Sequence, residues 1–192
     1  MKKIASIMLV VCLMFITTGC GNDSKEPSNQ LIELTKLESS KKDMVKYTLL
    51  EDKEHVFVET SYEQLNKLFA NKGTGVIYLG GTGCPWCEEC VPVLNDVAKK
   101  YKGLNIYCPK SITKEDDEAA FKKQYEIFNN NVLPGEEVVY IPHVFVIVEG
   151  KVVADNLGTV DGHDAHTNKM TAEQITKLDA IYTGMLDKLV KK

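Results

Sequence analysis

Two of the six cysteines in this 192-residue chain, Cys84 and Cys87, form a C-x-x-C pair inside the run Val76–Leu94, VIYLGGTGCPWCEECVPVL. A short apolar, β-prone run, Val76-Ile77-Tyr78-Leu79, enters a Gly-rich turn, and Cys84-Pro85-Trp86-Cys87 then opens an apparent helix. Thiols at this spacing stand within disulfide reach. At a helix N-terminus, exposed backbone N–H groups and the positive end of the helix dipole stabilise a thiolate on the first cysteine. Such placement takes a thiol pKa from about 8.5 into the range ~3.5–7.5. Cys84 is therefore the candidate nucleophile and Cys87 the resolving thiol. A permanent structural disulfide is the competing use, to which so tight a spacing is poorly suited. Pro85 suits the start of a helix, where its missing N–H would be unpaired anyway. For Trp86, the sole tryptophan, two placements stay open: a rim that meets partner proteins, or the core.

These residues, with two further features, resemble the thioredoxin-like thiol–disulfide oxidoreductases. Pro92 stands five residues past Cys87, where thioredoxins carry the proline that kinks the active-site helix. Ile141-Pro142, followed by His143-Val144-Phe145-Val146-Ile147-Val148 and Glu149-Gly150-Lys151, resembles the family's cis-proline leading into a strand and a tight hairpin. The likeness covers roughly residues 55–192. It implies a three-layer α/β fold in which a central mixed sheet of about four to five strands is flanked by helices. It also implies a cis Ile141–Pro142 bond beside the disulfide, the backbone of Ile141 pairing with a substrate chain, protein thiol or disulfide substrates, and no cofactor. One departure bears on mechanism: thioredoxins have a buried Asp six residues before the first active-site cysteine, and this chain has Tyr78 there. Proton transfer during resolution then falls to water, to Tyr78, or to Glu88, Glu89, Glu136 or Glu137, all of which also read as solvated carboxylates. His143, next to Pro142, either approaches Cys84 and supports its thiolate or points away along its strand.

Cys90 and Cys108 complicate the chemistry. Cys84, Cys87 and Cys90 recur every three residues and so fall near one side of a helix, while Cys108 ends a later strand. Four uses stay open: two free thiols, a Cys90–Cys108 disulfide, Cys90 as an extra resolving thiol, and a metal site. Zinc sites usually pair two separated clusters, so no metal is expected. Asp161-Gly162-His163-Asp164-Ala165-His166 superficially resembles a ligand cluster and reads better as a polar loop.

The elements that must position this site begin after an export signal. Lys2 and Lys3 precede an apolar stretch, Ile4 to Ile16, that is too short for a convincing membrane span. Thr17-Thr18-Gly19-Cys20 resembles the lipobox of bacterial lipoproteins, with Thr17 where an aliphatic residue is usual. That likeness implies removal of residues 1–19, diacylation of Cys20 and anchoring to the outer face of the bacterial cell membrane. Each buried CH₂ of such an anchor contributes ~0.8 kcal/mol. Loss of Lys2 and Lys3 takes the formal charge from −4 to −6. All 23 basic residues are Lys, and the absence of Arg weighs against phosphate or nucleic-acid recognition.

Residues 20–43 read as a polar tether, in which Leu31, Leu34 and Leu37 hint at one or two helical turns. One domain follows over residues 44–192. Met44–Leu50 and His55–Glu59 read as strands. Thr60 with Glu63 caps a helix carrying Tyr62, Leu65, Leu68 and Phe69 on one face, which Gly73 ends. Leu104–Cys108 is a further strand, and a helical insertion at about 109–138, starting near Thr113-Lys114-Glu115-Asp116, is longer than the family needs. It either shapes partner choice or merely covers the sheet. Thr171 caps a closing amphipathic helix with Ile175, Leu178, Ile181, Tyr182, Met185 and Leu189.

The expectation is an extracytoplasmic, membrane-anchored monomer that exchanges disulfides with protein substrates and with a membrane or extracytoplasmic redox partner. Its C-P-W-C context is also similar to accessory proteins of bacteriocin export in Gram-positive bacteria. Two alternatives from other classes are a lipoprotein that uses the same fold only to bind a partner, and a metallochaperone built on Cys84, Cys87 and Cys90.

Overall fold

The computed structural model describes residues 30–110 and 117–192. The lipobox with Cys20, the tether before residue 30 and the expected helix start at Thr113–Asp116 lie outside them. Six strands form one sheet in the order β1-β2-β4-β3-β5-β6: β1 Ser40–Lys41, β2 Phe57–Thr60, β3 Gly75–Leu79, β4 Ile106–Pro109, β5 His143–Val148 and β6 Lys151–Leu157. Strands β2, β4 and β3 run parallel, and β1, β5 and β6 join antiparallel. Four helices cover the sheet: α1 Tyr62–Ala70, α2 Pro85–Lys99, α3 Glu118–Val132 and α4 Ala172–Leu186. This is the expected thioredoxin-like α/β architecture, with the two-residue β1 added at one edge.

Alternation along the buried strands divides the core in two. Val76 and Tyr78 of β3, with Val144 and Val146 of β5, face α2 and α4, where Val91, Leu94, Val97, Leu178 and Tyr182 meet them. Ile77 and Leu79, with Phe145 and Ile147, face α1 and α3, where Leu65, Leu68 and Phe128 complete a second cluster. A strand buried on both faces needs apolar residues at every position, which is why Val76–Leu79 and Val144–Ile147 read as unbroken apolar runs. The β5–β6 hairpin closes on Glu149-Gly150, both at positive φ, the two-residue turn whose twist matches that of the strands.

Several expectations are corrected. Met44–Leu50 is a pair of turns, with the Tyr47 N–H on the Met44 carbonyl and the Leu50 N–H on the Tyr47 carbonyl. Its apolar residues recur every third position, so Met44 and Tyr47 both reach the core; a strand would have sent them to opposite faces. The second strand begins at Phe57, not His55. Helix α1 is capped by Ser61, whose hydroxyl accepts from the Gln64 N–H. Thr60 stays in β2 and donates its hydroxyl to the Glu38 carbonyl.

The packed chain starts well before residue 44. Leu37 is buried with α1, Leu31 bridges to Val190, and the Thr35 N–H donates to the Thr74 carbonyl. Residues 31–37 therefore run extended across the fold instead of forming helical turns. In the insertion, α3 lies on α1 through edge-on contacts of Tyr62 with Phe121, Tyr125 and Phe128; it covers the sheet. Ile175 of α4 is exposed, while Leu178, Tyr182 and Met185 are buried as expected.

Candidate active site around Cys84 and Cys87

Strand β3 delivers the chain through Gly80–Gly83 to α2, and Cys84 is the N-cap of that helix. Its Sγ accepts from the Cys87 N–H at 3.2 Å, so the sulfur itself fills the role usually taken by a Ser or Asp oxygen. Cys84 and Cys87 are joined by a disulfide, with Cα atoms 5.2 Å apart. Cys84 is half-buried and Cys87 is fully buried. An approaching disulfide or thiol thus meets Cys84 first, and the negative charge left there on reduction lies against the first N–H groups of a 15-residue helix.

Pro85 takes the first helical position. Pro92 lies within α2, and because it has no N–H the Glu88 carbonyl four residues earlier loses its helical donor. The Ile141–Pro142 bond is cis. Ile141 stays 45% exposed, and its side chain reaches the turn before Cys84, since a Cβ on Gly81 would stand 3.2 Å from Ile141 Cδ1. The active-site turn and the cis-proline loop are therefore neighbours, with an apolar side chain left open between them.

Trp86 lies at the rim, half-buried. Its indole N–H donates to the His163 carbonyl at 3.5 Å, and His166 stands edge-on to its ring, with centroids 4.6 Å apart. The loop expected to be merely polar is thus bound to the active-site helix. The His163 ring is buried: Nδ1 meets the Thr159 hydroxyl at 2.7 Å, and Nε2 lies 3.0 Å from the Asn168 carbonyl and 3.5 Å from Glu89 Oε1. Only acceptors surround Nε2, so it carries the proton. Glu89 is buried and its Oε2 accepts from the Met170 N–H. Among the expected acids only Glu136 and Glu137 are exposed; Glu88 accepts from the N–H and hydroxyl of Thr48.

Tyr78 occupies the position where thioredoxins have a buried acid, and it behaves differently. Its hydroxyl and that of Tyr182 lie beside the Cys90 sulfur, and neither has a partner of hydrogen-bond geometry. Burial, with the neighbouring Cys90 second, raises the Tyr78 pKa well above 10.0. A phenol so disfavoured as an anion is no base at neutral pH. Its ring also explains Gly80, where a Cβ would fall 2.0 Å from the Tyr78 oxygen.

Cys90 and Cys108 are separate, buried free thiols, so they form no disulfide with each other. Cys90 points its Sγ at the Cys87 carbonyl, 3.6 Å away. Burial pushes both thiols up to about 12, which disfavours the attacking thiolate at the fully buried Cys90. Among the described residues no group of three or more His, Cys, Asp or Glu stands ready to hold a metal ion. His143 takes the second of its two orientations. It shares a sheet face with Phe145, on which it stacks at 4.0 Å, and its Nε2 pairs with Asp155 at 2.8 Å. That is the α1/α3 side, away from α2, so it does not support the Cys84 thiolate.

The Glu88–Thr48 and Glu89–His163 ties escaped sequence reasoning because their partners lie 40 and 74 residues away. The one available signal was two acids placed directly behind C-P-W-C.

Neither a family model nor a curated protein matches the chain. Among solved structures it is similar to thioredoxin O2 and thioredoxin O1 from Arabidopsis thaliana, both in the oxidized state. The identities are 19% and 16%, covering 71% and 70% of this chain and 96% and 98% of theirs, at a TM-score of 0.42 each. It is also similar to thioredoxin from Aeropyrum pernix, at 18% identity over 53% of this chain and 74% of that one, with a TM-score of 0.38.

Proposed function

We propose that this chain exchanges disulfides with polypeptide substrates through Cys84 and Cys87. The observation that carries the reading is the bonded pair at the α2 N-terminus, in which only Cys84 meets solvent, beside an exposed Ile141 on the cis-proline loop. In the reducing direction the Cys84 thiolate attacks one substrate sulfur. The Cys84–substrate S–S bond forms, the substrate S–S bond breaks, and the other substrate sulfur leaves as a thiolate. Cys87 then gives up its proton, attacks Cys84 Sγ and expels the second substrate sulfur; the substrate gains two electrons and the protein regains its disulfide. With Tyr78 unsuited as a base, that proton passes to water or to the departing thiolate. The oxidising direction is the same sequence reversed.

Insulin-disulfide reduction with dithiothreitol as the electron donor tests this. Cys84→Ser is expected to abolish turnover, and Cys87→Ser to accumulate a mixed disulfide visible by non-reducing gel and intact mass. Wild-type turnover by Cys84→Ser would falsify the assignment. The C-P-W-C context makes secreted, disulfide-bonded peptides the first natural substrates to assay. The export signal and lipobox support a membrane-anchored, extracytoplasmic protein. Cys20→Ala is expected to release it from the membrane fraction, and retention in that fraction would argue against the anchor.

A further inference from the structure

Two consecutive glutamates follow the C-P-W-C turn, and each fastens a different segment of chain to the start of α2. Glu88 Oε2 accepts from the Thr48 N–H at 2.8 Å and lies 3.3 Å from its hydroxyl. Glu89 takes the Met170 N–H and faces His163. One segment precedes the central fold in sequence and the other follows it. Between them runs a groove of about 330 Å³ lined by Thr48, Leu49, Gly83, Pro85, Ala165 and Lys169, with the two glutamates at its base. Gly83 and Pro85 flank Cys84 in sequence, so the groove runs beside the active-site turn.

The lining states what fits. Leu49 is left 36% exposed, and with Pro85 and Ala165 it offers an apolar wall. The Glu88 and Glu89 carboxylates accept the bonds just described and keep their charges, so with the exposed Lys169 the lining is net negative. A substrate's aliphatic side chain leaves water when it packs against this wall. We propose that this groove is a specificity subsite of the exchange reaction. It seats the substrate polypeptide beside its reacting cysteine and takes an apolar side chain adjacent to that cysteine. The proposal rests on the exchange reading above and adds the substrate class.

The test uses two disulfide-linked reporter peptides that differ only next to the cysteine, one with Leu and one with Lys, alongside a small aromatic disulfide. A third peptide carries Leu and has Ser in place of the cysteine. The Leu peptide is expected to react about tenfold faster than the Lys peptide, the discrimination one apolar side chain in a pocket supplies. Leu49→Asp is expected to erase that ratio, and Ala165→Leu, which fills the groove, to do the same. Val153→Asp, exposed on β6, is expected to keep it. The cysteine-free peptide is expected to shift the methyl resonances of Leu49 and Ala165. Equal rates for the two peptides, or a ratio that survives both groove variants, overturns the subsite. Exchange with the small disulfide but no methyl shifts sinks the subsite alone. Methyl shifts without exchange on any disulfide leave the groove standing and sink the redox reading.

Discussion

Cys90 and Cys87 lie one helical turn apart on the same helix and do opposite things, because burial acts on them differently. Cys87 is bonded to a sulfur that reaches solvent, whereas Cys90 is fully buried in the core beside two phenols and the Cys87 carbonyl. After mild reduction, iodoacetamide is expected to modify Cys84 within minutes and to leave Cys90 and Cys108 untouched until denaturant is added; peptide mapping by mass reads this directly. Modification of Cys90 in the native protein would show that the sulfur is reachable. Residues of this kind were half legible. C-P-W-C declared its chemistry through type and spacing, but the fates of Cys90, His143 and Glu89 depended on which face of an element each side chain takes. For His143 a shift of one position along β5 decides between the α2 face and the α1/α3 face, and the sequence around Pro142 fixes no such parity.

At the scale of elements, helix α2 is held at both ends. Beyond the site, Asn95 is fully buried; its Oδ1 accepts from the Val56 N–H at 3.1 Å and its Nδ2 donates to Asp52 at 3.0 Å. Asp52 also pairs with Lys99. Asn95→Ala strands the Val56 N–H and is expected to cost about 1–3 kcal/mol, read as a lower urea midpoint, with insulin reduction per folded molecule unchanged. An unaltered midpoint would mean that this tie contributes nothing. The helices and inner strands were legible because caps, periodicity and unbroken apolar runs are local signals. Thr171 shows the same locality, forming the capping box with Gln174 that its spacing suggests. Met44–Leu50 was misread because its β-prone composition concealed a three-residue period, and residues 31–37 because their partners, Thr74, Leu189 and Val190, are remote in sequence.

For the molecule as a whole, the buried acids set an alkaline limit. Cys90 and Cys108 are raised from 9.0 to about 12 by burial, so the unfolded chain releases these protons before the folded one. Their contribution is complete below about pH 9 and is lost as pH rises toward 12, by roughly 1 kcal/mol per pH unit for each thiol. Tyr78 and Tyr182, also raised by burial, steepen the fall above pH 10. Urea midpoints taken from neutral to alkaline pH are expected to decline over that window, and the double substitution Cys90→Ala, Cys108→Ala is expected to flatten the decline. A midpoint insensitive to alkali would remove the thiols from the balance.

The bridge between Leu31 and Val190 and the bond from the Lys191 N–H to the Gln30 carbonyl bring the two ends of the fold together. The Thr35–Thr74 bond fixes that meeting near the start of β3, whereas the sulfurs stand beyond its finish; five strand residues, about 16 Å, separate the two poles. A segment that enters the fold at Gln30 therefore joins it at the pole opposite the reactive sulfurs.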